Sequence, residues 1–214
     1  MSTAVRERSL LIGTRNAGKV REIESLLGDI EWRLRSLREF AEIGLAAELG
    51  HTYDDNAISK AQFYARATGL HTLADDSGLE VAALAGGPGV YSARYAGEGA
   101  SDGDRRKLLL SELAGVPPGE RGARFVCVVA IAAPDGRVLE TVEGVCRGKI
   151  IFEERGLNGF GYDPLFVPEG FDQTFAELTD VVKNELSHRA RALAKTRKFL
   201  RLLSGQLDQA GGRS

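Results

Sequence analysis

The stretch LLIGTRNAGKVREIESLL, residues 10–27, passes from an apolar run through small residues into a segment where Val20, Ile23, Leu26 and Leu27 recur at helical spacing. A strand feeding a tight turn and a helix start predicts an α/β protein. Gly13 to Lys19 fits the opening of a P-loop, G-x-x-x-x-G-K, but Val20 stands where a P-loop needs a Ser or Thr hydroxyl for its magnesium ion. A true P-loop is therefore excluded. Its electrostatics remain, because the open N–H groups of a helix start attract anions and Lys19 adds a full positive charge. Asn16 either caps the helix or binds a phosphate oxygen.

The metal ligand missing from this turn has an evident source downstream. In ADDSGLEV, residues 74–81, Asp75 and Asp76 follow the run LHTLA. Two adjacent carboxylates at a strand end are costly unless a cation lies between them. A hard divalent ion held by one or two carboxylates, its shell completed by phosphates, fits that need. The plainer alternative is a turn, since Asp, Ser and Gly favour turns. Two strands are expected here, near 72–75 and 79–83.

Farther along, ARFVCVVAIAA and RVLETVEGVCRGKI flank Pro134-Asp135-Gly136, which predicts a long antiparallel hairpin over 124–133 and 137–149. The sheet is thus mixed. Further strands are expected near 9–13 and 31–36, and helices near 17–27, 53–68, 102–114 and 185–203. The last helix carries Leu186, Leu193 and Leu200 at seven-residue intervals, with Ala190, Phe199 and Leu203 widening the apolar face. From Ser204 the composition predicts a frayed tail, so the chain reads as one domain over 1–204 with a flexible segment over 205–214.

With 214 residues the chain can bury a sizeable core as one domain or two small lobes. A net charge of −2 provides no footprint for general nucleic-acid binding. No stretch approaches the ~18 apolar residues of a membrane span. Two cysteines, Cys127 and Cys146, make no disulfide framework, and buried thiols in a cytoplasmic protein are expected.

Four other segments carry chemistry. Glu48 lies in a Gly-containing loop with freedom to reach a metal, whereas Asp54 and Asp55 suit the first turn of a helix. GGPGVYSARYAG, residues 86–97, is a rich loop in which Arg94 is a candidate substrate contact. NGFGYDPLFVPEGF, from Asn158, sets Phe160, Tyr162 and Asp163 among glycines, so that an aromatic face and a carboxylate can meet a base. The alternative there is a turn whose aromatics complete the core. VKNELSHRARAL brings Lys183, His188 and Arg189 to a helix start, where the cations suit phosphate or carbonyl oxygens.

Five of these segments, TRNAGK, DDSGLEV, PGVYSARYAG, GFGYDP and SHRARAL, occur in the order found in the inosine/xanthosine triphosphate pyrophosphatase family, and together they resemble it closely. The resemblance implies a mixed α/β fold with a long central sheet and two lobes enclosing a cleft, a homodimer, and a magnesium ion. It implies hydrolysis of deaminated purine nucleoside triphosphates (ITP, dITP, XTP) to the monophosphate and pyrophosphate. On that basis Thr14, Arg15, Asn16, Ala17, Gly18 and Lys19 hold the triphosphate, Asp76 is both metal ligand and proton acceptor, and Glu48 is a second metal position. Ser77, Phe160, Gly161, Tyr162, Asp163, Lys183, His188 and Arg189 then contact the nucleotide. Asn56 and Lys60 also match, while Asp55 stands where Glu is usual and Arg15 where Gly is common. The rival readings are a pyrophosphatase for pyrimidine or modified triphosphates, and a module that binds nucleotide without turnover.

Overall fold

The computed structural model describes residues 8–211. Strand β1 (Arg8–Ile12) buries Leu10, Leu11 and Ile12 completely, as a continuous apolar run does in a strand covered on both faces. It lies between β2 (Trp32–Ser36) and β3 (His71–Val81), parallel to both, with Leu10 opposite Leu34 on one side and His71 on the other. Parallel neighbours need crossovers, and these are α1 (Ala17–Leu27) and α2 (Tyr53–Thr68).

The sheet has the order β2-β1-β3-β4-β5-β6, completed by β4 (Gly122–Ala132), β5 (Val138–Ile150) and β6 (Phe166–Pro168). The turn between β4 and β5 is closed by the Gly136 N–H on the Ala133 carbonyl at 2.8 Å, with Gly136 at φ +86° as the Pro-Asp-Gly sequence requires. β6 is antiparallel to β5 and sits at the sheet edge, a position that tolerates Pro168. The mixed α/β architecture thus agrees with the sequence.

The chain divides into two compact units, and the division falls within β3. One unit runs through Asp75 and adds Val128–Val142 and the chain from Ala192; the other comprises Asp76–Cys127 and Glu143–Arg191. In the first unit Leu11, Leu37 and Tyr64 pack together, and the buried Trp32 indole donates to Ser204 Oγ at 2.9 Å. In the second, Leu79, Leu109, Leu113, Phe125, Phe166 and Phe175 build the core, with the Phe125 ring 4.7 Å from Phe166 and 5.9 Å from Phe175. The remaining helices are α3 (Asp102–Glu112), α4 (Asp180–Leu186) and α5 (His188–Gly211).

Three expectations are corrected. The strands expected at 72–75 and 79–83 are a single strand, so Asp75, Asp76 and Ser77 lie in β3 and form no turn. The helix expected over 185–203 is split at Ser187, whose extended backbone ends α4 and whose Oγ accepts from the Ala190 N–H at 3.2 Å. The tail expected from 205 is helical through Gly211, because Ser204 and Leu203 are buried and carry α5 onward; residues 212–214 lie outside the described residues.

Arg121 holds the second unit together in a way the sequence does not announce. It is 1% exposed, and its guanidinium donates to the carbonyls of Leu113 (2.7 Å), Ile150 (2.9 Å) and Ile151 (3.1 Å), with the Phe152 ring 4.2 Å from Cζ. Leu113 caps the C-terminus of α3, where the helix dipole favours a cation. Arg121→Met is expected to destabilise the fold by on the order of 3 kcal/mol, because three buried carbonyls lose a charged donor. Urea denaturation measures this. A loss below about 1 kcal/mol would show that the carbonyls find other donors.

Candidate active site

In the first unit, the turn after β1 leads directly into α1. Asn16 is the N-cap, and its Oδ1 accepts from the N–H groups of Gly18 (2.9 Å) and Lys19 (3.1 Å). Of the two roles open to Asn16, this structure shows the cap. Arg15, Asn16 and Ala17 are exposed, so the positive end of the helix faces outward, while the Arg15 guanidinium reaches the Ile43 carbonyl at 2.5 Å. Lys19 Nζ lies 3.0 Å from Asp75 Oδ2, and the Asp75 side chain is completely covered. That ion pair is what allows an aspartate inside β3.

Glu48 is positioned by α2. Lys60, nearly buried, places Nζ 2.6 Å from Glu48 Oε1, and Asn56 Oδ1 accepts the Gly50 N–H at 2.9 Å. The two residues that match the family pattern in DDNAISKA therefore hold the loop that carries Glu48. Asp55 is exposed in the first turn, its own N–H capped by Thr52.

The second unit assembles the other residues. Asp76 is buried, and Ser77 Oγ accepts from Arg189 Nη2 at 2.9 Å. Arg189, 2% exposed, has its Cζ 5.8 Å from the centre of the half-buried Phe160 ring. Lys183 Nζ lies 5.3 Å from the same ring and 2.6 Å from Asp163 Oδ2. Asp163 Oδ2 also accepts the Phe160 N–H at 2.9 Å. Gly159, at φ +77°, faces that carboxylate so closely that a Cβ would collide with it. His188 stacks on Phe125 at 4.7 Å with the rings 12° apart. One cluster thus contains two cations, a carboxylate and an aromatic face.

Tyr162 is placed differently from its neighbours. Its ring belongs to the core and its hydroxyl donates to the Ser92 carbonyl at 2.9 Å, while burial pushes its acidity well below that of an ordinary phenol. Arg94 stacks on Tyr91 at 5.0 Å in the 3₁₀ turn Gly89–Arg94. Cys127 and Cys146 are buried thiols outside any disulfide, and burial raises the Cys146 thiol to about 11. Sequence reasoning missed Asp102 and Arg106 of α3, which bond the Gly161 backbone. A signal was present: Ser101-Asp-Gly-Asp104 holds one more acid than a capping box uses.

No three His, Cys, Asp or Glu side chains form a metal cage among the described residues. Magnesium does not need one, since one or two carboxylates with substrate phosphates satisfy it. Glu48 in the first unit and Asp76 in the second each carry carboxylate oxygens, the hard donors magnesium takes; Glu48 is paired with Lys60 and Asp75 with Lys19.

The first unit has an outward-facing helix start beside a lysine and the second an aromatic ring with two cations near it; the one suits anions and the other aromatic rings, the two chemical parts that nucleotide-binding proteins recognise. The sequence model of the Ham1 family matches residues 10–199, and the chain belongs to that family. It is 50% identical over 194 residues to the dITP/XTP pyrophosphatase of Desulforamulus reducens, covering 91% of this chain and 96% of that protein. It is 46% identical to the dITP/XTP pyrophosphatase of Bacillus subtilis, over 90% of this chain and 97% of that one. The solved structure of a HAM1 protein from Coxiella burnetii superposes with a TM-score of 0.82 at 40% identity, over 91% of this chain and 98% of its own.

Proposed function

We propose that this protein hydrolyses ITP, dITP and XTP at the anhydride between the α- and β-phosphates, releasing the nucleoside monophosphate and pyrophosphate and so clearing deaminated purines from the nucleotide pool. The observation that carries this reading is Arg189: nearly buried, donating to Ser77, and one residue from Asp76 through that partner. A guanidinium has donors only. It suits the 6-carbonyl of hypoxanthine or xanthine and meets the 6-amino group of adenine donor to donor.

Thr14 to Lys19 take the phosphates through the helix start and the lysine charge. Phe160 offers its face to the base, Lys183 and Asp163 fix the surroundings of that face, and His188, held against Phe125, is a further nucleotide contact. Asp76 takes a proton from the attacking water as its oxygen bonds to phosphorus; the anhydride P–O bond breaks and pyrophosphate leaves. Asp76 and Glu48 would hold the magnesium ion, which when bound neutralises phosphate oxygens and lowers the pKa of water. The homodimer rests on the family resemblance. A cytoplasmic location is supported by two buried cysteines kept as thiols rather than a disulfide; among the described residues no helix is long and apolar enough to cross a membrane.

Pyrophosphate release from ITP, XTP, GTP and ATP, each with magnesium and with chelator, tests the reading. Magnesium-dependent release from ITP and XTP far above the other two is expected. Equal release from all four would remove the base selection, and release from none would leave a nucleotide-binding module.

A further inference from the structure

The loop that carries Phe160 and Asp163 is fastened at one point that no assigned role explains. Asp102 Oδ2 accepts the Gly161 N–H at 2.8 Å, and Arg106 Nη1 donates to the Gly161 carbonyl at 2.9 Å. Both backbone groups of one residue are thus held from a single helix face, since Asp102 and Arg106 are one turn apart on α3. Capping does not account for Asp102. Ser101 and Asp104 form the complete capping box, with Asp104 N–H on Ser101 Oγ at 3.1 Å and Asp104 Oδ2 taking the Ser101 N–H at 3.1 Å. Arg105 pairs with Asp102 and donates to the Ala93 and Ala100 carbonyls, and Arg106 Nε lies 2.9 Å from Glu154. Both clamping side chains are therefore themselves braced.

We propose that Asp102 and Arg106 are positioning residues for base recognition: by fixing both peptide planes at Gly161 they hold the Phe160 face and the Asp163 carboxylate in register with Lys183 and Arg189. This rests on the function proposed above for that site. Without the clamp, the peptides on either side of Gly161 regain rotation. The Phe160 ring then loses its defined distances to Lys183 and Arg189. Recognition of the base suffers, while the phosphate turn at Thr14–Lys19 and the Asp76 carboxylate on β3 lie outside the clamped loop and keep their roles. Burial pushes the Asp102 carboxyl up, but Arg105, the Gly161 N–H and Arg106 outweigh it and leave the group below the ordinary carboxylate range. The acceptor is thus ionised at neutral pH.

The test compares Asp102→Ala, Asp102→Asn and Asp104→Ala with the wild type. Asp102→Ala is expected to raise KM for ITP about 10- to 100-fold and to lower the ratio of kcat/KM for ITP over ATP about tenfold, with kcat at saturation within about threefold. Asp102→Asn keeps an acceptor oxygen and is expected to restore most of the loss. Asp104→Ala weakens the helix start without touching Gly161, so it lowers the melting temperature but leaves KM and the ratio in place. Amide hydrogen exchange at Gly161 gives a readout free of substrate: it quickens in Asp102→Ala and not in Asp104→Ala. An unchanged Gly161 exchange rate, an equal effect of Asp104→Ala on KM, or a fall in kcat alone would overturn the proposal. A wild type that hydrolyses no triphosphate would instead overturn the function reading, and the exchange rate would still decide the clamp.

Discussion

Asp76→Asn is expected to lower kcat for ITP by about 10²- to 10⁴-fold, the range that a positioned general base contributes. The substitution is nearly isosteric, and Asp76 is buried within β3, so the strand has little reason to move. An amide does not accept a proton from water near neutral pH, so the attacking oxygen keeps its proton as the phosphorus bond forms. The phosphate turn with Lys19, and the group of Phe160, Lys183 and Arg189, are unaltered. Nucleotide affinity should therefore stay within about tenfold, the residual change reflecting one charge less at the proposed magnesium position. Single-turnover hydrolysis and calorimetric binding of ITP in chelator separate the two quantities. A kcat loss under about tenfold would take Asp76 out of the proton-accepting role, and an equal loss of binding and turnover would leave it as a ligand alone.

Much of this arrangement is legible in the chain wherever the physics is local. The turn at 13–19 reads correctly because Asn16 caps its own helix two and three residues on, and the 124–149 hairpin because Pro-Asp-Gly sets its own turn. Reading fails where a distant partner decides. The sequence around Asp75-Asp-Ser-Gly78 has turn composition, yet it is strand, because Lys19 neutralises Asp75 and Arg189 engages Ser77 from far along the chain. Helical spacing runs through Ser187 without a break, yet the backbone turns there and separates Lys183 on α4 from His188 on α5. Arg121 looks like one more surface arginine, and only the folded chain shows three carbonyls converging on it. Asp102 looks like a helix-start acid for the same reason.

Arg189→Met should remove most of the preference for inosine over adenosine triphosphate while leaving the chemistry of hydrolysis in place. Methionine keeps an unbranched stem of similar reach in a nearly closed position, so the packing loss is small beside the loss of the guanidinium donors. A charged donor to a carbonyl contributes about 1.5–3 kcal/mol, and kcat/KM for ITP should fall about 10- to 150-fold. The value for ATP should not fall, because the donor-to-donor clash with the 6-amino group disappears along with the benefit to the carbonyl. Arg189→Lys provides the sharper comparison. It keeps the positive charge but not the planar fork that serves Ser77 and a base carbonyl together, so it should recover only part of the ITP rate. Steady-state kinetics of both variants on ITP and ATP decide the point. If the ratio of kcat/KM values is unchanged in Arg189→Met, the base is read by other groups, and the Asp163 carboxylate and the backbone of 158–163 become the donors and acceptors to examine.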